Sequence, residues 1–91
     1  MADLPQTNYN VTVSEVEFPG EYAPIQMNDE PMSFSAAGDL AILLVNEAQA
    51  QGYYYNGLQP VRTATARQQW TLLHIRSTHR MVIEVKAEVQ S

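Results

Sequence analysis

Ala36 to Gln51 is the one long segment of this chain that reads as a helix, and it constrains everything around it. It holds no proline and a single glycine, Gly38. Gly52 follows directly, where a left-handed C′ residue stops a helix. Ser35 is placed to cap the N-terminus, with Asp39 in the first turn against the positive end of the dipole. Ala37, Leu40, Ala41, Leu44 and Ala48 recur at helical spacing and form one apolar stripe. Ile42, Leu43 and Val45 lie off that stripe, leaving a narrow wet side around Asp39, Asn46 and Gln49. A helix apolar over most of its circumference is covered on more than one side. In a chain of 91 residues one sheet covers only one side, so the excess face predicts contact between two copies of the chain.

The flanking segments read as strands. Tyr9, Val11 and Val13 alternate with Asn10, Thr12 and Ser14; Val16 and Phe18 change parity, which predicts a bulge near Ser14-Glu15. Tyr22 to Phe34 reads as a second extended region with a polar turn at Asn28-Asp-Glu30. Pro24 and Pro31 keep it at an edge or in loops. After Gly52, Tyr53-Tyr-Tyr55 leads to Asn56-Gly57, either a hairpin turn before Leu58-Gln-Pro-Val61 or a bend in one irregular strand. Thr63 to Arg67 has no apolar period and reads as a flexible loop. Gln69–Arg76 and Met81–Val89 form a C-terminal hairpin around a three-residue loop, Ser77-Thr-His79. Met81, Ile83, Val85, Ala87 and Val89 would face the core with Leu73 and Ile75. Trp70, Leu72, His74 and Arg76 would face out, with Trp70 beside Lys86. The fold class is therefore α+β, a single helix on a mainly antiparallel sheet in the order β-β-α-β-β-β. Residues 1–8 form a tail and 9–91 one domain.

Composition narrows the chemistry. With 45% hydrophobic and 16% charged residues the chain is globular, and with no cysteine it forms neither disulfides nor thiolate metal sites. The longest apolar run, Leu40–Val45, is far short of the ~20 residues of a membrane helix, and no leader pattern opens the chain. A cytoplasmic protein is expected. The net charge of −5 argues against a general binder of nucleic acid or anionic membrane. All five cations (Arg62, Arg67, Arg76, Arg80 and Lys86) follow residue 61, while eight of the ten acids precede residue 50.

No enzyme motif emerges. His74 and His79 lack a spaced partner ligand, so the ordinary reading of both is surface histidine; a His74–Glu84 contact on the outer face is the one that would orient an imidazole. None of the serines sits in a nucleophile elbow, and no glycine loop fits a phosphate cradle. Glu15/Glu17 and Asp29/Glu30 read as solvated turn carboxylates. No metal or cofactor is expected. The constellation best suited to binding is Tyr53, Tyr54, Tyr55 and Trp70 with Arg62 and Arg67, because aromatic platforms and guanidinium groups serve both protein hot spots and single-stranded nucleic acid. Its bland alternative is that the tyrosines cover a core margin, and strand alternation turns at most two of the three inward.

Tyr9-Asn-Val-Thr-Val13, Asp29-Glu-Pro-Met-Ser33 and Leu44-Val-Asn46 together resemble the small YoaG-type family of enterobacteria. The resemblance covers residues 9–46. It implies a homodimeric α/β fold and no assigned activity. Val45-Asn-Glu47, Gly52-Tyr53 and Gly57 look like the helix-glycine-aromatic strand unit of small bacterial and phage domains. The expectation is a small non-enzymatic macromolecule-binding protein acting as a homodimer, with Ile42, Leu43, Val45 and Tyr53–Tyr55 at the interface. One alternative is an inhibitor or adaptor of mobile-element type that docks a basic protein through its acidic half. The other is a single-stranded nucleic-acid binder using the tyrosines, Trp70, Arg62 and Arg67, with His74 nearby; the charge balance counts against it.

Overall fold

The computed structural model describes residues 8–17, 20–21, 24–55, 57 and 59–87. The strands are β1 (Tyr9–Glu17), β2 (Gly20–Glu21), β3 (Ile25–Gln26), β4 (Tyr53–Tyr55), β5 (Gln68–His74) and β6 (Arg80–Ala87), with one helix, α1 (Phe34–Ala50), between β3 and β4. They form a single antiparallel sheet in the order β2-β1-β6-β5-β4, with β3 pairing on β1. The α+β class, the single helix and the C-terminal hairpin are as expected. Residues 1–7 of the expected tail, Phe18 and Val89 lie outside the described residues.

The core is the space between α1 and one face of the sheet. Val11, Leu72, Ile83 and Val85 are fully buried there, beneath Ala37, Ala41 and Ala48 of the helix. Three alanines on the contact arc let the helix axis approach the sheet closely, so the large side chains come from the strands. Val45, expected on the outer face, is 8% exposed and belongs to this core. Leu40 and Leu44 pack at the other margin of the same arc. At ~100° per residue the arc facing the core runs from Leu40 to Val45, about 140°, a width that one twisted sheet covers.

Several local expectations are corrected. β1 pairs with β6 in unbroken register from Tyr9↔Ala87 to Val16↔Arg80, so Ser14-Glu15 carries no bulge. The extra residue lies across the other edge. The register there changes from Val16↔Glu21 to Val13↔Ile25, one residue more on the β2–β3 side. The second extended region, Tyr22 to Phe34, is not one strand: among its described residues it pairs only as β3 and as an isolated Tyr9↔Met32 bridge, consistent with its two prolines, and β2 precedes it as a further short strand. That bridge pins the chain just before the helix, so the N-cap is Ser33 and not Ser35. The Ser33 hydroxyl accepts from the Ala36 N–H at 3.2 Å, and Asp39 falls outside the first turn. At the far end Gly52 has φ +100°, the left-handed stop expected of it.

The hairpin turn is the largest correction. The His74 N–H donates to the His79 carbonyl at 3.0 Å, leaving four residues, Ile75–Thr78, in the turn in place of three. The register then pairs Trp70 with Ile83 and Leu72 with Met81. A change of parity turns every side chain of a strand to the opposite face. Trp70 and Leu72 are accordingly in the core, while Leu73 is 37% exposed and Ile75 more so. Ala87 shares the inward parity of β6 but is exposed at the strand's end.

Past β4, Val61 bridges Gln69 on the same partner strand that β4 uses, so the chain bends and resumes as one irregular edge. The Tyr55 hydroxyl donates to the Gln59 carbonyl and braces that bend. Thr63 to Arg67, expected to be a flexible loop, is instead a knitted turn. The Thr63 N–H donates to the Ala66 carbonyl, the Ala66 N–H to Thr63 Oγ1, and the Arg67 N–H to the Val85 carbonyl.

Candidate functional site

Two surfaces collect the residues singled out from the sequence. The first is the outer face of α1. Ile42 and Leu43 stand there 51% and 54% exposed at the middle of the helix. Ser35, Asp39, Asn46 and Ala50 share that arc and are exposed with them. Val45 does not join them. Strand alternation separates the three tyrosines. Tyr53 is buried, Tyr55 packs at the core margin, and Tyr54 is 44% exposed on the opposite face. Tyr54 pairs there with Leu73, and the two make a small apolar patch on the sheet face opposite α1.

The second surface is the turn between the irregular edge and β5. Arg62 and Arg67 stand at its two ends and line one open hollow with Thr63–Ala66 and Ala87. The Arg67 Cζ lies 5.6 Å from the centroid of the Phe34 ring, which itself packs on Tyr9 at 5.0 Å. Ala66 is buried and anchors the turn to the sheet.

Trp70 and His74 are not brought to that hollow. Trp70 is buried opposite Ile83, so it offers no face to a base or a partner, and its expected neighbour Lys86 is elsewhere. Lys86 instead lies 3.4 Å from Glu84, which also accepts from Gln69 Nε2 at 3.0 Å. His74 faces Tyr53, edge-on at a centroid separation of 5.0 Å, and not Glu84. Its Nε2 lies 3.2 Å from the Gln51 carbonyl oxygen, and the Arg76 N–H donates to Nδ1 at 3.1 Å. The ring therefore ties the end of α1 to the hairpin turn, a structural task. His79 packs 6.3 Å from it, centroid to centroid. Among the described residues no three His, Cys, Asp or Glu side chains gather as metal ligands. Among them also, no helix is long and apolar enough to cross a membrane.

A third feature had no signal in the sequence. Glu15 of β1 and Glu47 of α1 line the same cleft, of about 160 Å³, floored by Met27, Leu44 and Met81. Thirty-two positions separate the two carboxylates in the chain, and only the packing of α1 on β1 brings them to one opening. Comparison with protein-family models, with curated proteins and with solved structures finds no match to this chain.

Proposed function

We propose that the protein acts by binding another macromolecule, without catalysis, and that it does so as a homodimer whose subunits meet across the outer face of α1. The observation that carries this reading is the exposure of Ile42 and Leu43 at the midpoint of a helix whose opposite side is engaged in the core. Full burial of such a side chain is worth roughly 1.5–3 kcal/mol. A two-fold contact presents the patch twice and so gathers four aliphatic side chains at its centre. The small or short neighbours Ser35, Asp39, Asn46 and Ala50 leave room for a second helix to approach. Sedimentation of the wild type and of Leu43→Glu tests the reading. Leu43 is exposed in the single chain, so the variant keeps its circular dichroism and sediments as a folded monomer, while the wild type sediments as a dimer. A monomeric wild type overturns the proposal, as does a dimer indifferent to both Leu43→Glu and Ile42→Glu.

A second reading, docking of a basic protein surface, is favoured by the cleft that Glu15 and Glu47 share. A lysine or arginine laid along Met27 and Met81 would place its charge between the two carboxylates. Capture of such a partner fades with rising salt and weakens in Glu47→Gln; capture that survives high salt counts against it.

A further inference from the structure

We propose that the hollow between Arg62 and Arg67 binds the phosphate group of a small phosphate monoester. The site is separate from the helix face and does not depend on the dimer.

The chain carries a net charge of −5, yet two of its five cations line this one opening, at opposite ends of a single turn. Among the described residues neither guanidinium forms an ion pair with a carboxylate, whereas Lys86 does. Two arginines lining one opening without a counter-charge are an unsatisfied electrostatic arrangement in an acidic protein.

The turn is organised in advance. Its backbone is tied by Thr63 N–H to the Ala66 carbonyl at 2.9 Å and by Arg67 N–H to the Val85 carbonyl at 2.8 Å. Thr63 Oγ1 accepts from the N–H groups of Thr65 and Ala66, which leaves the hydroxyl proton free to be donated. Phe34 places the Arg67 head group. Held in this way, the backbone of the turn and the Arg67 head group lose little further freedom when an anion enters, and Arg62 supplies the second charge from the other end of the turn.

The chemistry favours phosphate over carboxylate. Two guanidinium forks offer more N–H donors than one carboxylate has lone pairs to receive, while a phosphate monoester carries close to two negative charges and three terminal oxygens. The hollow measures about 380 Å³ and its lining is threonine and alanine, small enough to leave it open. That volume falls at the lower end of the range of small-ligand sites, roughly 300–1,000 Å³, which gives room for an organic moiety beside the phosphate.

Calorimetric titration of the full chain with inorganic phosphate, with a nucleoside 5′-monophosphate and with acetate tests the proposal. The expected result is saturable 1:1 binding of both phosphates, tighter for the monophosphate, and none of acetate. Arg62→Gln and Arg67→Gln each weaken it about tenfold or more, in line with losing one charge-assisted contact. Arg67 also contacts Phe34, so Arg62→Gln, at a site without that contact, is the variant free of any folding effect. Absence of saturable binding by either phosphate overturns the proposal. So does binding that persists in the Arg62→Gln/Arg67→Gln pair, or acetate binding as well as phosphate. Binding of a single-stranded oligonucleotide with no binding of the mononucleotide overturns it in favour of a nucleic-acid surface.

Discussion

Gly52 sits against the ring of His74: a Cβ built on it would lie 2.9 Å from Nε2, and its backbone is held at φ +100°. The helix stop and the hairpin turn are thus fitted to one another through a residue with no side chain. Gly52→Ala meets two costs, the left-handed backbone, ~1–2 kcal/mol, and displacement of the imidazole. Urea unfolding is expected to show a loss of about 2 kcal/mol or more. In a His74→Ala background the second cost vanishes, so the same substitution costs less there. Equal losses in the two backgrounds would show that the ring does not press on Gly52.

Leu72 and Leu73 are neighbours with opposite fates. Leu72 is fully buried and Leu73 faces solvent beside Tyr54. Leu72→Ala is expected to cost ~2–5 kcal/mol and Leu73→Ala less than about 1 kcal/mol. The reverse order would mean that the hairpin turn has three residues and the opposite register.

Asn28 is a buried polar side chain with a full set of partners. Its Oδ1 accepts from the Val11 N–H at 2.9 Å, and its Nδ2 donates to the Glu30 carbonyl at 2.7 Å and to Asn10 Oδ1 at 3.0 Å. It takes the place of a strand along β1 where β3 has ended. Asn28→Ala strands the Val11 N–H, at a cost of ~1–3 kcal/mol. Asn28→Asp keeps the acceptor but turns a carboxylate toward the oxygens of Asn10 and Glu30, and is expected to cost at least as much as Asn28→Ala in denaturant unfolding. A variant as stable as the wild type would remove Asn28 from the fold's framework.

Much of the fold was legible in residue patterns that are local. Gly52 stopped the helix where expected because a left-handed residue is a one-position requirement. The inward sets Tyr9, Val11, Val13 and Met81, Ile83, Val85 were readable because a half-buried strand alternates within itself. Alternation also separated Tyr54 from Tyr53 and Tyr55. Arg62 and Arg67 were legible as candidates, and they line one hollow because they flank one short turn.

What was not legible depended on a second segment. The segment Trp70–Ile75, at the end of β5 and the start of its turn, is apolar at both parities, at Trp70 and Leu72 as at Leu73 and Ile75, so its pattern alone names no inner face. One residue in the hairpin turn decides it. Ser33 and Ser35 are equally good caps in isolation, and the bridge from Met32 to Tyr9 selects the first. Asn28 reads as a turn residue until β1 is placed beside it, and Glu15 and Glu47 share an opening only once α1 lies on β1.

By itself, then, the sequence determined the class of fold, the one helix and its end, the inward faces of the first and last strands, and the uneven spread of charge. Only the tertiary structure decided which face of β5 is core, that Trp70 and Val45 are buried, and which charged side chains share an opening. The reason is physical. Propensity and periodicity act over a few residues, whereas register and convergence are set by loop length and by the partner strand, which no window of the chain contains.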